Sequence, residues 1–289
     1  MADDIIIPGL LKPLPNNGHT VSRAFYDPAS RDPQTTFPLD ASTDISQLSD
    51  ETLINLLKTA PVLYRCSGTH IVRLSSTLIM KGEQLTRPCE PSIMDLVRTK
   101  SSIPVPKVHR VVHIGKKDSY YGDQCLFVMD FIEGRTIEEI WEEASDTQRD
   151  EIVLQVANMI KELESATVPQ DPGPVDCPTS LWLGRWFTHF GAGPFANIAA
   201  MEAWFNRKLA LCQALKQAPE SVPPFRFGKL VLTNNDIAPR NLLLGGDGKT
   251  RSQTPLFTDL LVAKIQRHDA FAWQLQSINY GLTTAAFIQ

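Results

Sequence analysis

The stretch Leu230-Val-Leu-Thr-Asn-Asn-Asp236-Ile-Ala-Pro-Arg-Asn241-Leu-Leu-Leu244 reads as an apolar strand that runs into a polar turn and out into a second apolar strand. Asp236 and Asn241 stand at the two ends of that turn, five positions apart. Taken alone, such a turn has a plain explanation, because Asn and Asp bond their own backbone and collect in loops for that reason. A sharper reading is chemical. Two oxygen-bearing side chains held at this spacing on a rigid loop can divide a group transfer, one receiving a hydroxyl proton and the other holding a hard cation. The neighbouring sequence decides between the two.

Upstream lies a β-rich half. Ser49 to Lys58 is expected as a helix, with a start signal at Ser49, acidic Asp50 and Glu51 in the first turn, and Leu53, Ile54, Leu56 and Leu57 as its apolar positions. Thr69 to Leu74 and Ser76 to Lys81 read as a hairpin turning at Ser75, preceded by Ser67 and Gly68. A helix near Pro91 to Thr99 is followed by Ile103 to Lys107, where two prolines enforce an extended backbone. Two further strands, Val108 to Ile114 and Cys125 to Phe131, flank a polar loop.

After Gly134 the pattern becomes helical. Ser145 and Gln148 have capping-box spacing ahead of Ile152, Val153, Val156, Met159, Ile160 and Leu163, and Asn197 to Leu215 offers a second helix of similar length. A β-rich half followed by a helical half implies an α+β architecture with a cleft between two lobes.

In this order the segments resemble the aminoglycoside phosphotransferase-like family, a branch of the protein-kinase superfamily. Asp236-Ile-Ala-Pro-Arg-Asn241 is similar to the family's catalytic loop. Val72-Arg73-Leu74 to Ile79-Met80-Lys81 resembles its strand pair ending in the nucleotide-binding lysine, and Glu90 sits where its helix carries the lysine's glutamate partner. Val128-Met129-Asp130-Phe131-Ile132-Glu133-Gly134 resembles the hinge between lobes. The likeness runs from Ile71 to Leu244 and implies a small antiparallel N-lobe sheet, a mostly helical C-lobe, ATP and magnesium as cofactors, and a hydroxyl-bearing small molecule as substrate.

Carried over residue by residue, the resemblance implies Asp236 as the base that accepts or orients the substrate hydroxyl. Lys81, paired with Glu90, would meet the α- and β-phosphates. Gly68 would let a turn approach the phosphates, and the backbone at Met129 and Phe131 would face the adenine edge. Asn241 would ligate magnesium, with Asp259 in Leu256-Phe257-Thr258-Asp259-Leu260 as the nearest candidate for the second metal ligand. Two positions depart from the family pattern: Asn234 stands where a histidine is usual, and the strand around Asp259 lacks the usual tryptophan. These departures keep open a non-catalytic, pseudokinase-like binding protein and a truncated gene product whose C-terminal part is incomplete.

Composition excludes several alternatives. A formal charge of −4 with no basic stripe gives no footprint for nucleic acid, and no apolar run approaches the roughly 20 residues needed to span a membrane. The acidic start Met-Ala-Asp-Asp is unlike a signal peptide, and five scattered cysteines without a Cys-x-x-Cys pair fit a reducing cytoplasm. Gly248-Lys249-Thr250 is no P-loop, because Leu243 occupies the required glycine position. His109 and His113 lack the glutamate between zincin histidines, and Trp182, Trp186, Phe187 and Phe190, at near-helical spacing, read as core. Residues 1–48 are expected as an N-terminal extension, extended or partly disordered, 49–130 as the N-lobe and 131–289 as the C-lobe, with oligomeric state left open.

Overall fold

Ser49 opens the first helix, α1 (Asp50–Thr59), by accepting a hydrogen bond from the Thr52 N–H at 3.1 Å. Here, as at most expected starts, local cap chemistry sets the boundary. In this computed structural model the described residues are 30–32, 34–66, 68–83, 86–114, 123–166, 172, 182–184, 188–228, 230–232, 239–246, 248 and 250–254.

After α1 come β1 (Val62–Cys66), β2 (Thr69–Arg73) and β3 (Leu78–Gly82), then α2 (Cys89–Lys100), β4 (Val108–His113) and β5 (Cys125–Asp130). All the strand pairs are antiparallel, and they form one five-stranded sheet in the order β1-β2-β3-β5-β4. The sheet is covered on both faces. On one, Val72, Met80, Leu126 and Val128 pack with Leu53 and Leu57 of α1. On the other, Ile79, Phe127 and Met129 pack with Met94 of α2. The period of two along β3 therefore sends Met80 and its neighbours Ile79 and Lys81 to opposite layers.

Past Gly134 come β6 (Arg135–Thr136), the single turn α3 (Ile137–Ile140) and the long helix α4 (Asp146–Ser165). Both α3 and α4 begin in capping boxes, Thr136 with Glu139 and Ser145 with Gln148. Next are β7 (Trp182–Gly184), β8 (Thr188–Ala192), α5 (Ile198–Ala214), β9 (Asn241–Leu244) and β10 (Thr250–Thr254). Ile137, Ile152, Val156 and Leu242 form one core of this half, and Met201, Phe205, Leu209 and Phe225 form another. Asn206 clips the chain after α5, accepting from the Phe225 N–H at 2.7 Å and donating to the Phe225 carbonyl at 3.1 Å. The α+β class and the antiparallel sheet are as the sequence implies.

Three features go beyond the sequence reading. Trp182 and Phe190 lie on strands: β7 and β8 pair antiparallel, with Gly184 opposite Thr188, and Trp186 and Phe187 lie outside the described residues. Strand β1 has no counterpart among the expected segments, because its run of Val, Leu, Tyr and Arg does not alternate cleanly. The arm is the third. Its described part includes a 3-10 turn, Ile45–Gln47, capped by Asp44, and is anchored to the sheet, with the Leu39 N–H donating to the Leu74 carbonyl at 2.9 Å and Leu39 packing on the sheet core. Among the described residues, no helix is long and apolar enough to cross a membrane.

Two stability outcomes follow from this packing. Leu53 is fully buried, so Leu53→Ala in denaturant melts is expected to lose ~2–5 kcal/mol, whereas Leu154→Ala, at a site 51% exposed, should stay within ~0.5 kcal/mol. His70 is buried on β2 and, among the described residues, its Nε2 has no hydrogen-bond partner. Burial pushes its imidazole below the ordinary value of 6.5, so the unfolded chain takes up this proton first as pH falls. The stability associated with neutral His70 is complete above 6.5 and is lost as pH drops through the folded-state value. Melting temperatures measured below pH 6.5 should therefore fall less steeply in His70→Leu than in the parent protein.

Candidate functional site

Register fixes the first element. Lys81 on β3 lies opposite Phe127 of β5, one pleat from the pair Ile79 and Met129. That places Lys81 in the layer facing α2, where its Nζ donates to Glu90 Oε1. Glu90 sits in the first turn of α2, so the helix dipole favours its carboxylate there. The two side chains retain 21% and 35% of their exposure, which leaves the lysine accessible from solvent while paired. Sequence order suggested this pair, and the structure brings it together.

Gly68 lies in the turn between β1 and β2 with φ 83, a conformation that strains any side chain but suits glycine. Because Cys66 pairs directly with Thr69, the turn is short. Met129 is 4% exposed and lies between Ile79 on β3 and Val108 on β4. Phe131 is the first residue past the sheet. Its N–H already donates to the Thr77 carbonyl at 2.7 Å, and its ring lies 3.2 Å from the Arg73 guanidinium carbon. Among the described residues, the next N–H, that of Ile132, has no partner, a detail that hinge spacing alone did not reveal.

Asp130 at the end of β5 is held from several sides. Its N–H donates to the Lys107 carbonyl at 3.0 Å, while its carboxylate accepts from the Lys107 N–H at 2.9 Å and meets His109 Nε2 at 2.7 Å. His109 thus has a structural partner on the neighbouring strand. An open cavity of about 570 Å³ runs along this hinge, lined by Asp130, Phe131, Ile132, Glu133, Thr77 and the Gly245–Gly246 turn. Neither Lys81 nor Glu90 lines it, so the cavity follows the hinge rather than the ion pair.

Asp236, Asn234 and Asp259 lie outside the described residues, but the residues on both sides of the segment holding Asp236 are described. Before it, Leu232 packs with Val97 and Ile103 between the two halves of the molecule. After it, the Pro239 carbonyl accepts from the Leu242 N–H at 3.2 Å and the Glu138 N–H at 3.4 Å, and Leu242 is 2% exposed in the core beside α3 and α4. Asn241, half-buried, is the first residue of β9 and pairs with Thr254. Its side-chain oxygen is the donor type a hard cation takes. Among the described residues, no cluster of three or more His, Cys, Asp or Glu could hold a metal.

Comparison with known proteins gives the chain a family. No curated protein matches the chain. Among solved structures, the streptomycin-ATP ternary complex of APH(2")-IIa is 13% identical, covering 80% of this chain and 86% of that one at a TM-score of 0.47. The GDP and kanamycin complex of APH(2")-IIia is 11% identical over 82% and 86%, also at 0.47. Spectinomycin phosphotransferase APH(9)-Ia, in complex with ADP and spectinomycin, is 13% identical over 82% and 80% at 0.36. The model of the phosphotransferase enzyme family matches residues 65–251. That span begins within β1, takes in Lys81, Glu90, the hinge and Asn241, and ends in β10; covering well over half of the sequence, it shows that the chain belongs to the phosphotransferase enzyme family.

Proposed function

We propose that this protein is an ATP- and magnesium-dependent phosphotransferase that moves the γ-phosphoryl group of ATP to a hydroxyl of a small molecule. The observation that carries the reading is the Lys81–Glu90 pair, formed within the family span and left accessible to solvent. A lysine held by a carboxylate keeps its ammonium directed while leaving donors for the α- and β-phosphates. Gly68 keeps the β1–β2 turn low enough for its backbone to approach those phosphates.

Adenine recognition falls to the peptide groups after Met129. Since the Phe131 N–H is engaged by Thr77, the Ile132 N–H is the hinge donor to assign to the base. Asp236 would accept the acceptor hydroxyl's proton as its oxygen attacks phosphorus. Asn241 and Asp259 would hold magnesium, which when bound neutralises charge on the phosphate oxygens. Leu232 and Leu242, on either side of Asp236 in the sequence, are both anchored in apolar cores, and positioning rather than covalent chemistry would be the protein's main contribution. Aminoglycosides, choline, sugars and related metabolites form the acceptor class.

Thermal unfolding with and without Mg-ATP tests the nucleotide half. At a hundredfold excess over Kd, ligand binding stabilises by about 2.7 kcal/mol, so a rise of about 5 °C or more is expected, and Lys81→Ala should remove most of it. No rise in a protein that melts cooperatively would overturn the reading. For the chemical half, Asp236→Asn should lower phosphoryl transfer by ~100-fold or more while retaining nucleotide binding. Asn234, in place of the family's usual histidine, motivates the second reading, a non-catalytic binding protein. Nucleotide binding with no turnover, unaffected by Asp236→Asn, would favour it.

A further inference from the structure

The hinge residues join the two halves covalently, and a second connection runs beside them. Arg31 Nη1 meets Glu139 Oε1 at 2.6 Å, on the turn of α3 just past the hinge. A few residues later the arm reaches the sheet. Phe37 covers the Arg73 guanidinium at 5.0 Å, and Leu39 binds the Leu74 carbonyl and packs into the sheet core. Residues 35, 37 and 39 are half-buried while 34, 36, 38 and 40 are exposed, so alternate positions of this short, bent segment are turned inward.

Arg73 is what the strap and the hinge share. Its guanidinium lies over both the Phe37 ring and the Phe131 ring, the latter's centroid 3.2 Å away, and only 7% of the residue is exposed. Nε donates to the Ser75 carbonyl and Nη2 to the Ser76 carbonyl at 2.8 Å. This fixes the turn whose Thr77 carbonyl receives the Phe131 N–H. Burial lowers the Arg73 pKa to about 10, so the group stays cationic at neutral pH and keeps its attraction for both rings.

We propose that Arg31 and residues 34–39 form a strap along the outside of the hinge, with Arg73 as its buried pin, and that the strap sets nucleotide affinity by holding the angle between the lobes. Rotation of the sheet away from α3 must stretch the Arg31–Glu139 pair or slide Phe37 off Arg73. The two ends differ in strength. The ion pair is exposed, with 42% and 36% of its side-chain surface accessible, and pairs of that kind are weak and salt-sensitive. The Phe37 end is tied to a buried cation and the sheet core. The strap is therefore fixed on the N-lobe and releasable from α3, and Arg73 is a positioning residue acting through Phe131 on the hinge. Its effect on nucleotide rests on the phosphotransferase reading, whereas its mechanical effect does not.

Amide hydrogen exchange on the full-length, nucleotide-free protein separates the two. In an Arg31→Ala/Phe37→Ala variant, exchange at residues 131–136 is expected to rise by ~10-fold while β4 keeps its protection, and Arg31→Lys should retain most of the parent's slow exchange. In calorimetric titration the same double variant should bind Mg-ATP ~5- to 10-fold more weakly, with a smaller loss for Arg31→Ala alone. Unchanged hinge exchange would overturn the strap. Faster exchange with unaltered nucleotide affinity would overturn its control of the site. A parent protein that binds no nucleotide would defeat the phosphotransferase reading and the affinity claim together, leaving the exchange result to decide the strap.

Discussion

A lysine on a sheet can meet a glutamate on the helix above it only if the strand register is right, and here that register is set by the pairing of β3 with β5. Ile79 opposite Met129 and Lys81 opposite Phe127 put the lysine in the α2 layer. A slip of one residue would turn it toward α1, into a layer lined by Leu53, Leu57, Met80 and Val128, all at most 8% exposed. An ammonium without a partner there would be costly. The apolar sequence of β3 and β5 therefore does more than build a core, since burying Met80 on one face obliges Lys81 to appear on the other.

The rest of the candidate site depends on two anchors in the other half. Leu232 belongs to the apolar layer that joins α2, the extended 103–105 segment and α4, and Leu242 belongs to the core under α3. Asp236 lies between these two anchors in the sequence, one at the junction of the halves and the other in the helical core. The hinge is bound with similar economy. The Thr77 carbonyl, the Lys107 carbonyl and the Lys107 N–H fix residues 130 and 131, and the first N–H without a described partner belongs to Ile132.

Local chemistry was the most legible part of the sequence. Ser49, Ser145 with Gln148, and Asn197 each cap the helix they announce, because a cap is satisfied within three residues of itself. The hairpin and the order Lys81, Glu90, hinge, Asn241 were legible for a related reason, since linear order survives folding. What escaped depends on distant partners. The edge strand β1 takes its shape from β2, and the aromatic residues near Trp182 have a helix-like spacing although the chain there folds back as β7 and β8. Phe37 and Leu39 sit in a polar, proline-rich arm whose composition says little, and their anchors, Arg73 and Leu74, are more than thirty positions away.

The most direct test of the central claim, that Lys81 faces the phosphates of a bound nucleotide, is covalent labelling with an acyl-phosphate derivative of ATP, which transfers its acyl group to a lysine amine at the phosphate end. Mass mapping should find the label on Lys81, suppressed by excess Mg-ATP and reduced in Glu90→Gln, where the lysine loses its ionic partner. Label scattered over surface lysines, absent from Lys81 and indifferent to Mg-ATP, would contradict the assignment of this sheet and helix as a nucleotide site.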